Sequence, residues 1–290
     1  MSAKSSLWLA IFVMALGMIF IPIGDGIAKH VQNTTDYNAS MLSWSRFLLG
    51  ALFTLPWVLF TRQLPPPTLK HRTFWLKQCI RGILIAAAVT FIVTAVGLSP
   101  IADVFGAFFI GPGVSVILAQ WWLKAKASLF DWVAVILGFV GVLMVVQPTG
   151  EIGPGIPWAL AAGCCYGSFL VATRWAAGSG SPLAQLGAQF IVATICLTPL
   201  GLPELLKHGL LVPSLLLASA ALSGAANLFS IIALAKVDNA ILAPVVYIQV
   251  VSATVVGYVF FRDTPNQLAA MGLMLIVATG VSRAFKQRQT

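Results

Sequence analysis

Charge is what this chain has least of. Asp, Glu, Lys and Arg make up 9% of its 290 residues, where soluble domains carry roughly 25%. Together with 59% hydrophobic residues and a mean hydropathy of +0.94, that scarcity excludes an ordinary soluble domain. Cysteine is sparse as well. Cys79, Cys164, Cys165 and Cys196 lie in or beside apolar runs and show no C-x-x-C spacing, so they are read as small packing residues and not as a redox or metal site. Also missing are a Walker sequence, a G-x-S-x-G elbow, an H-E-x-x-H pair and an Asp-rich metal pair. Without these signatures no enzyme, resident metal or cofactor is expected.

What the chain does have is long apolar runs. A bilayer-spanning helix needs about 20 mostly apolar residues, and these runs are continuous at that length instead of alternating as barrel strands do. Ten spans are read, at residues 7–30, 40–61, 74–98, 100–122, 129–147, 154–176, 182–200, 212–234, 239–261 and 265–285. No A-x-A-like cleavage site follows the first run before Asp25, so it is kept as a span and not taken for a secretory signal.

The net charge of +9 is explained by where the charge sits. With the N-terminus inside, only Lys29, Arg46, Lys207 and Arg262 of the seventeen Lys and Arg residues fall on the outer side, which is the positive-inside bias. Both termini are therefore expected in the cytoplasm of a plasma (bacterial inner) membrane. The basic stretch from Lys70 to Lys77 receives the same orienting role, and no nucleic acid partner is needed. His30, His71 and His208 fall on both sides of the membrane and do not converge on a metal.

The connection QPTGEIGPGIP, Gln147 to Pro157, divides the chain into five spans and five. An odd number per half gives related halves opposite orientations, the inverted-repeat plan of many secondary transporters. The halves also share a pattern: SPIADVFGAFFIGPGVSVILAQWWLKAKASLFDWVAVILGFVGVLMVV matches KVDNAILAPVVYIQVVSATVVGYVFFRDTPNQLAAMGLMLIVATGVSR in having a proline inside its first helix, Pro112 or Pro244, and glycines in its second.

On these segments, its length and its ten-span layout, the chain resembles the drug/metabolite transporter superfamily, specifically its EamA-type members. The acidic-basic turn before each last helix is half kept: Arg262 and Asp263 stand in the second turn, but Leu123-Lys124-Ala125-Lys126 in the first lacks the acid. GDGIAK near the end of the first span, followed by Arg46, looks like the first-helix Met-Asp-x-x-x-Lys pattern of several branches. The resemblance implies an all-α membrane protein with two inverted five-helix repeats, residues 1–148 and 154–290. It also implies alternating-access transport of small organic metabolites, with export of an amino acid or related zwitterion as the main expectation. Uptake of a larger metabolite such as riboflavin or S-adenosylmethionine is the alternative, and a channel is the alternative of another class. Transport uphill would draw on an ion gradient or exchange, so a coupling proton or ion belongs among the expected partners, beside the solute and the lipid bilayer.

Polar residues inside spans are costly and face interiors or cavities. Asp25 and Lys29, four apart, share one helix face, and Arg46 and Asp103 stand at the same outer level. They are expected either to gate or bind a charged solute, or to form an interfacial ion-pair set with Lys29 reaching the headgroups. Pro22 permits a kink beside Asp25. Pro112, between Gly111 and Gly113, and Pro244, ahead of Tyr247 and Gln249, mark mid-membrane interruptions in corresponding spans, a pointer to a central site. Tyr166, Gln185, Gln189 and Asn227 are further polar candidates, with interhelical hydrogen bonding as the plainer role. Trp44, Trp121 and Trp122 are read as interfacial anchors, and Gly163 with Gly167 as a helix contact.

Overall fold

A computed structural model describes residues 3–61, 69–99, 101–147, 153–209, 213–261 and 266–286. A peptide group in hydrocarbon must find its hydrogen-bond partner within the chain, and the apolar runs meet that demand as helices, with no strand among the described residues. They are α1 (Ala3–Thr34), α2 (Ala39–Phe60), α3 (Leu69–Leu98), α4 (Ile101–Phe108), α5 (Gly111–Trp122), α6 (Leu129–Val146), α7 (Ile156–Trp175), α8 (Pro182–His208), α9 (Pro213–Lys236), α10 (Asn239–Val246), α11 (Ile248–Phe261) and α12 (Gln267–Lys286). Among the described residues seven helical segments are long and apolar enough to cross a membrane. Three shorter apolar ones, Leu129–Val145, Asn239–Ser252 and Gln267–Thr279, accompany them. Large apolar side chains such as Phe12, Phe53, Phe60 and Leu129 face outward, as lipid contact requires. This is an integral membrane protein.

Two expected spans are each broken in two. The run 100–122 divides at Phe109 and Ile110, because Pro112 in the first turn of α5 has no N–H to donate and its ring crowds the carbonyl four residues back. The run 239–261 divides at Tyr247, whose N–H turns back to the Pro244 carbonyl at 3.3 Å. Both interruptions lie against other helices, where freed backbone groups can be covered.

The dominant helix contacts run between the halves of the chain and not within them. α1 packs on α9, α3 on α7, α2 on α8 and α6 on α12, while α1 also meets α10 and α11, and α7 meets α4 and α5. Exchanging α1–α6 with α7–α12 in order sends each of these pairs onto another of them or onto itself. Local signals fix the helix starts: Asn38 accepts from the Met41 N–H at 2.9 Å, and Ser181 from the Ala184 N–H at 3.1 Å. Ser128 and Asp131 close a reciprocal capping box on α6.

The α5–α7 contact is made through glycine, as expected for Gly163 and Gly167. A β-carbon on Gly111 would stand 2.9 Å from the Gly163 carbonyl oxygen, and one on Gly163 would press on the Phe108 carbonyl and meet Ile110 Cγ2 at 3.0 Å. Trp44 departs from its expected role. It is only 5% exposed and donates from Nε1 to Thr198 Oγ1 at 3.1 Å. Its ring fills the space that Gly201 leaves on α8, so packing claims it, while Trp121, 80% exposed, keeps an outward position. Arg262 and Asp263 of the second turn lie outside the described residues.

Gly163→Val is expected to destabilise the protein by about 1–3 kcal/mol through overpacking, read as a lower unfolding temperature in detergent. Gly113→Ala, whose added carbon meets only Val135 Cγ1 at 4.0 Å, is expected to leave that temperature unchanged or slightly raised.

Candidate functional site

The polar side chains of the first span are organised around Pro22. The Gly24 carbonyl accepts from Arg46 Nη2 at 2.9 Å and from Ser219 Oγ at 3.0 Å, and the Ile19 carbonyl accepts from Ser252 Oγ at 2.9 Å. α1 is thereby tied to α2, α9 and α11. Arg46 Nη1 makes a 2.7 Å ion pair with Asp25 Oδ1, the arginine side chain 6% and the aspartate 30% exposed. A charge-assisted contact this short is among the stronger hydrogen bonds a protein makes. Its exposed carboxylate edge faces a cavity.

That cavity encloses about 660 Å³ of empty space, its open part included, and is lined from α1, α2, α3, α4, α7, α9 and α11. Its polar lining is Asp25, Arg46, Tyr166, Asn227, Gln249, Ser223 and Ser230. One wall is aromatic: Phe108 and Tyr166 have ring centroids 5.5 Å apart, Tyr166 and Phe169 are stacked at 6.2 Å, and Phe105 stands edge-on to Phe108 at 6.4 Å. Its lining pairs apolar and aromatic walls with a few placed polar groups, the composition of small-molecule sites. Met18 Sδ accepts from Gln249 Nε2 at 3.1 Å, with the Tyr166 hydroxyl at 3.7 Å, and Asn227 Oδ1 accepts from Gln189 Nε2 at 3.0 Å. Among the described residues no group of three His, Cys, Asp or Glu side chains is placed to hold a metal ion.

Of the residues singled out in the sequence, Asp25, Arg46, Tyr166, Asn227 and Gln249 meet in this one space. Pro112 and Tyr247 are not in its lining. Pro112 opens α5, and Tyr247 is buried behind Phe109, its hydroxyl donating to the Val135 carbonyl at 3.2 Å. The side chains of Lys29 and Asp103 lie outside the described residues.

Sequence reasoning missed Arg81, which it counted with the orienting charges at a helix end. Arg81 is fully buried. Its Nε donates to Thr173 Oγ1 at 3.2 Å, Nη1 to Gln78 Oε1 and to Gln185 Oε1 at 3.4 Å, and Nη2 to Gln189 Oε1 at 2.6 Å. A signal was present: Gln78 and Arg81 lie three apart, and Gln185 and Gln189 four apart, so each pair shares one helix face.

The halves of this helical membrane protein pack across each other around a polar and aromatic cavity, an arrangement that suits a transporter of small molecules. The comparisons with known proteins make the class specific. The chain belongs to the EamA-like transporter family, whose profile matches residues 6–147 and again residues 153–281. It is 21% identical to an S-adenosylmethionine uptake transporter of Rickettsia prowazekii over 280 residues, covering 95% of this chain and 92% of the relative. It is 24% identical to a riboflavin transporter of Rhizobium johnstonii over 254 residues, covering 84% and 80%. A solved crystal structure, 20% identical and covering 99% of both chains, has the same fold with a TM-score of 0.75.

The Asp25–Arg46 pair is open to a direct energetic test. In a double-mutant cycle of Asp25→Asn and Arg46→Gln, the unfolding free energy in detergent is expected to show a coupling of about 0.5–3 kcal/mol. Strictly additive single effects would mean that the pair contributes nothing beyond its separate contacts.

Proposed function

We propose that this chain is a ten-span uptake carrier for a metabolite that joins a planar heteroaromatic ring to a polar, charged tail. The observation that carries the reading is the cavity itself, where Phe105, Phe108, Tyr166 and Phe169 share one space with Asp25, Arg46, Asn227 and Gln249. Aromatic faces suit a flat ring. Asn227 and Gln249 are placed for its edge or a sugar hydroxyl, and Asp25 for a positive centre on the tail. S-adenosylmethionine has all these parts, and riboflavin has the ring and hydroxyls without the cation. The names of the relatives favour the same two solutes. Amino-acid export is the weaker reading, because a small zwitterion has no use for so much aromatic wall.

The transport cycle in this reading is alternating access between two inverted repeats, 1–148 and 154–290. Seven long apolar segments and three shorter ones are the raw material for ten spans. The exchange of helix pairs between the halves and the matched interruptions at Phe109–Ile110 and Tyr247 support the repeat. A plasma (bacterial inner) membrane location with both termini in the cytoplasm follows from the basic-residue bias. Proton or ion coupling, or exchange, drives any uphill movement.

Purified protein in liposomes is expected to catalyse counterflow of radiolabelled S-adenosylmethionine, with riboflavin as the second solute. Asp25→Asn is expected to lower S-adenosylmethionine counterflow about ten-fold, the equivalent of a hydrogen bond to a charged group, while moving riboflavin counterflow much less. Wild-type protein that moves neither solute would overturn the reading, and equal losses for both would remove Asp25 from solute recognition.

A further inference from the structure

A buried cation lies behind the aromatic wall of the cavity. Arg81 lies one turn along α3 from Ile85, and Thr173 one turn along α7 from Phe169; both Ile85 and Phe169 line the cavity. The guanidinium carbon sits 5.7 Å from the Phe169 ring centroid. Gln189, which accepts from Arg81, donates in turn to Asn227 in the cavity lining. Phe169 is therefore the partition between the solute space and Arg81.

The arginine lining this space and the one behind its wall have different partners. Arg46 has the Asp25 carboxylate at 2.7 Å. Among the described residues Arg81 has no carboxylate within ion-pair distance; its partners are the neutral oxygens of Gln78, Gln185, Gln189 and Thr173. Four acceptors serve five N–H groups. Beside them the amide nitrogen of Gln78, itself fully buried, has no hydrogen-bond partner. Since Gln78 Oε1 is held by Arg81, that nitrogen is fixed as a donor. Neutral dipoles can fill the hydrogen bonds of a buried guanidinium but do not cancel its charge, which is why buried charges are normally paired. A full positive charge with spare donors beside it is matched by one kind of group, an anion with at least two acceptor oxygens.

We infer that Arg81 and Gln78 form a second recognition position on the transport path, taking the carboxylate of the solute when α3 parts from α7 and α8. This rests on the proposed function and narrows it, because a carboxylate distinguishes an S-adenosylmethionine-like solute from a riboflavin-like one. In the present arrangement the glutamines and Thr173 hold the guanidinium and seal the cavity at this end. On opening, those bonds break, and the solute's carboxylate replaces the glutamine oxygens with a bidentate partner of opposite charge.

The test is counterflow in liposomes with two labelled solutes, S-adenosylmethionine and its decarboxylated analogue, in which hydrogen replaces the carboxylate, with riboflavin as a third. The readout is the ratio of the first two rates, which a merely structural role of Arg81 would leave unchanged. Wild type is expected to prefer the carboxylate by about ten-fold or more, as a site built to bond a polar group rejects the analogue lacking it. Arg81→Gln is expected to bring that ratio near one. Arg81→Lys, which keeps the charge without the fork, and Gln78→Leu are expected to reduce the ratio by several-fold, and they carry the test if Arg81→Gln does not fold. Ratios in the variants equal to wild type, or a wild type indifferent to the carboxylate, would overturn this inference and leave the carrier reading standing. A wild type that moves none of the three would overturn both.

Discussion

A peptide group in hydrocarbon has no water to bond, and this constraint underlies the whole structure. It makes every apolar run a helix and confines each interruption to a place where other helices cover the freed groups. It also gathers the polar side chains inward, because a lone one facing lipid would be as costly as a bare carbonyl. The breaks at Phe109–Ile110 and Tyr247, and the carbonyls of Ile19 and Gly24 on either side of Pro22, are interior features for this reason. Of these features the Gly24 carbonyl, through Arg46, adjoins the cavity, whereas the two breaks lie outside its lining.

The cavity is bounded by two polar layers of different character. At one end the Asp25–Arg46 ion pair is short and still partly open to the space it faces. At the other, Arg81 is locked among neutral amides behind Phe169. The halves of the chain cross so that each layer is assembled from both: α1 and α2 hold the first with Ser219 of α9, while α3 holds the second with α7 and α8.

Much of the fold was legible in the sequence, since apolar length and proline position are local signals. Pro112 and Pro244 announced two interruptions whose breaks lie within a few residues of them. Arg46, at the start of the second span, was placed at the same outer level as Asp25, and the two residues do meet. Where reading failed, tertiary packing had overridden a local rule. Trp44 lies near a helix end, where tryptophan usually anchors, but Gly201 leaves a socket for it. Tyr247 follows an interruption as an expected wall residue, yet Gly138 lets its ring press onto α6 and away from the cavity. Arg81 was assigned to orientation because charge near a span end usually does that work, and only the approach of α8 shows that water cannot reach it. Of the aromatic wall only Tyr166 drew notice, because phenylalanine in a membrane helix is unremarkable until four rings from two helices are seen to line the same space.

The bare backbone contact between α5 and α7 has a mechanical meaning. Where Trp44 sits in its socket against α8, the surfaces are keyed like a peg in a hole, and sliding would require the ring to leave. Between Gly111 and Gly163 backbone approaches backbone, with only the Ile110 side chain beside it. Sliding there meets carbonyl oxygens and short branched side chains, with no large ring to withdraw. The bundle thus has one flank keyed by a ring and one where backbones meet directly, and the second, beside the aromatic wall, offers the lower resistance to sliding.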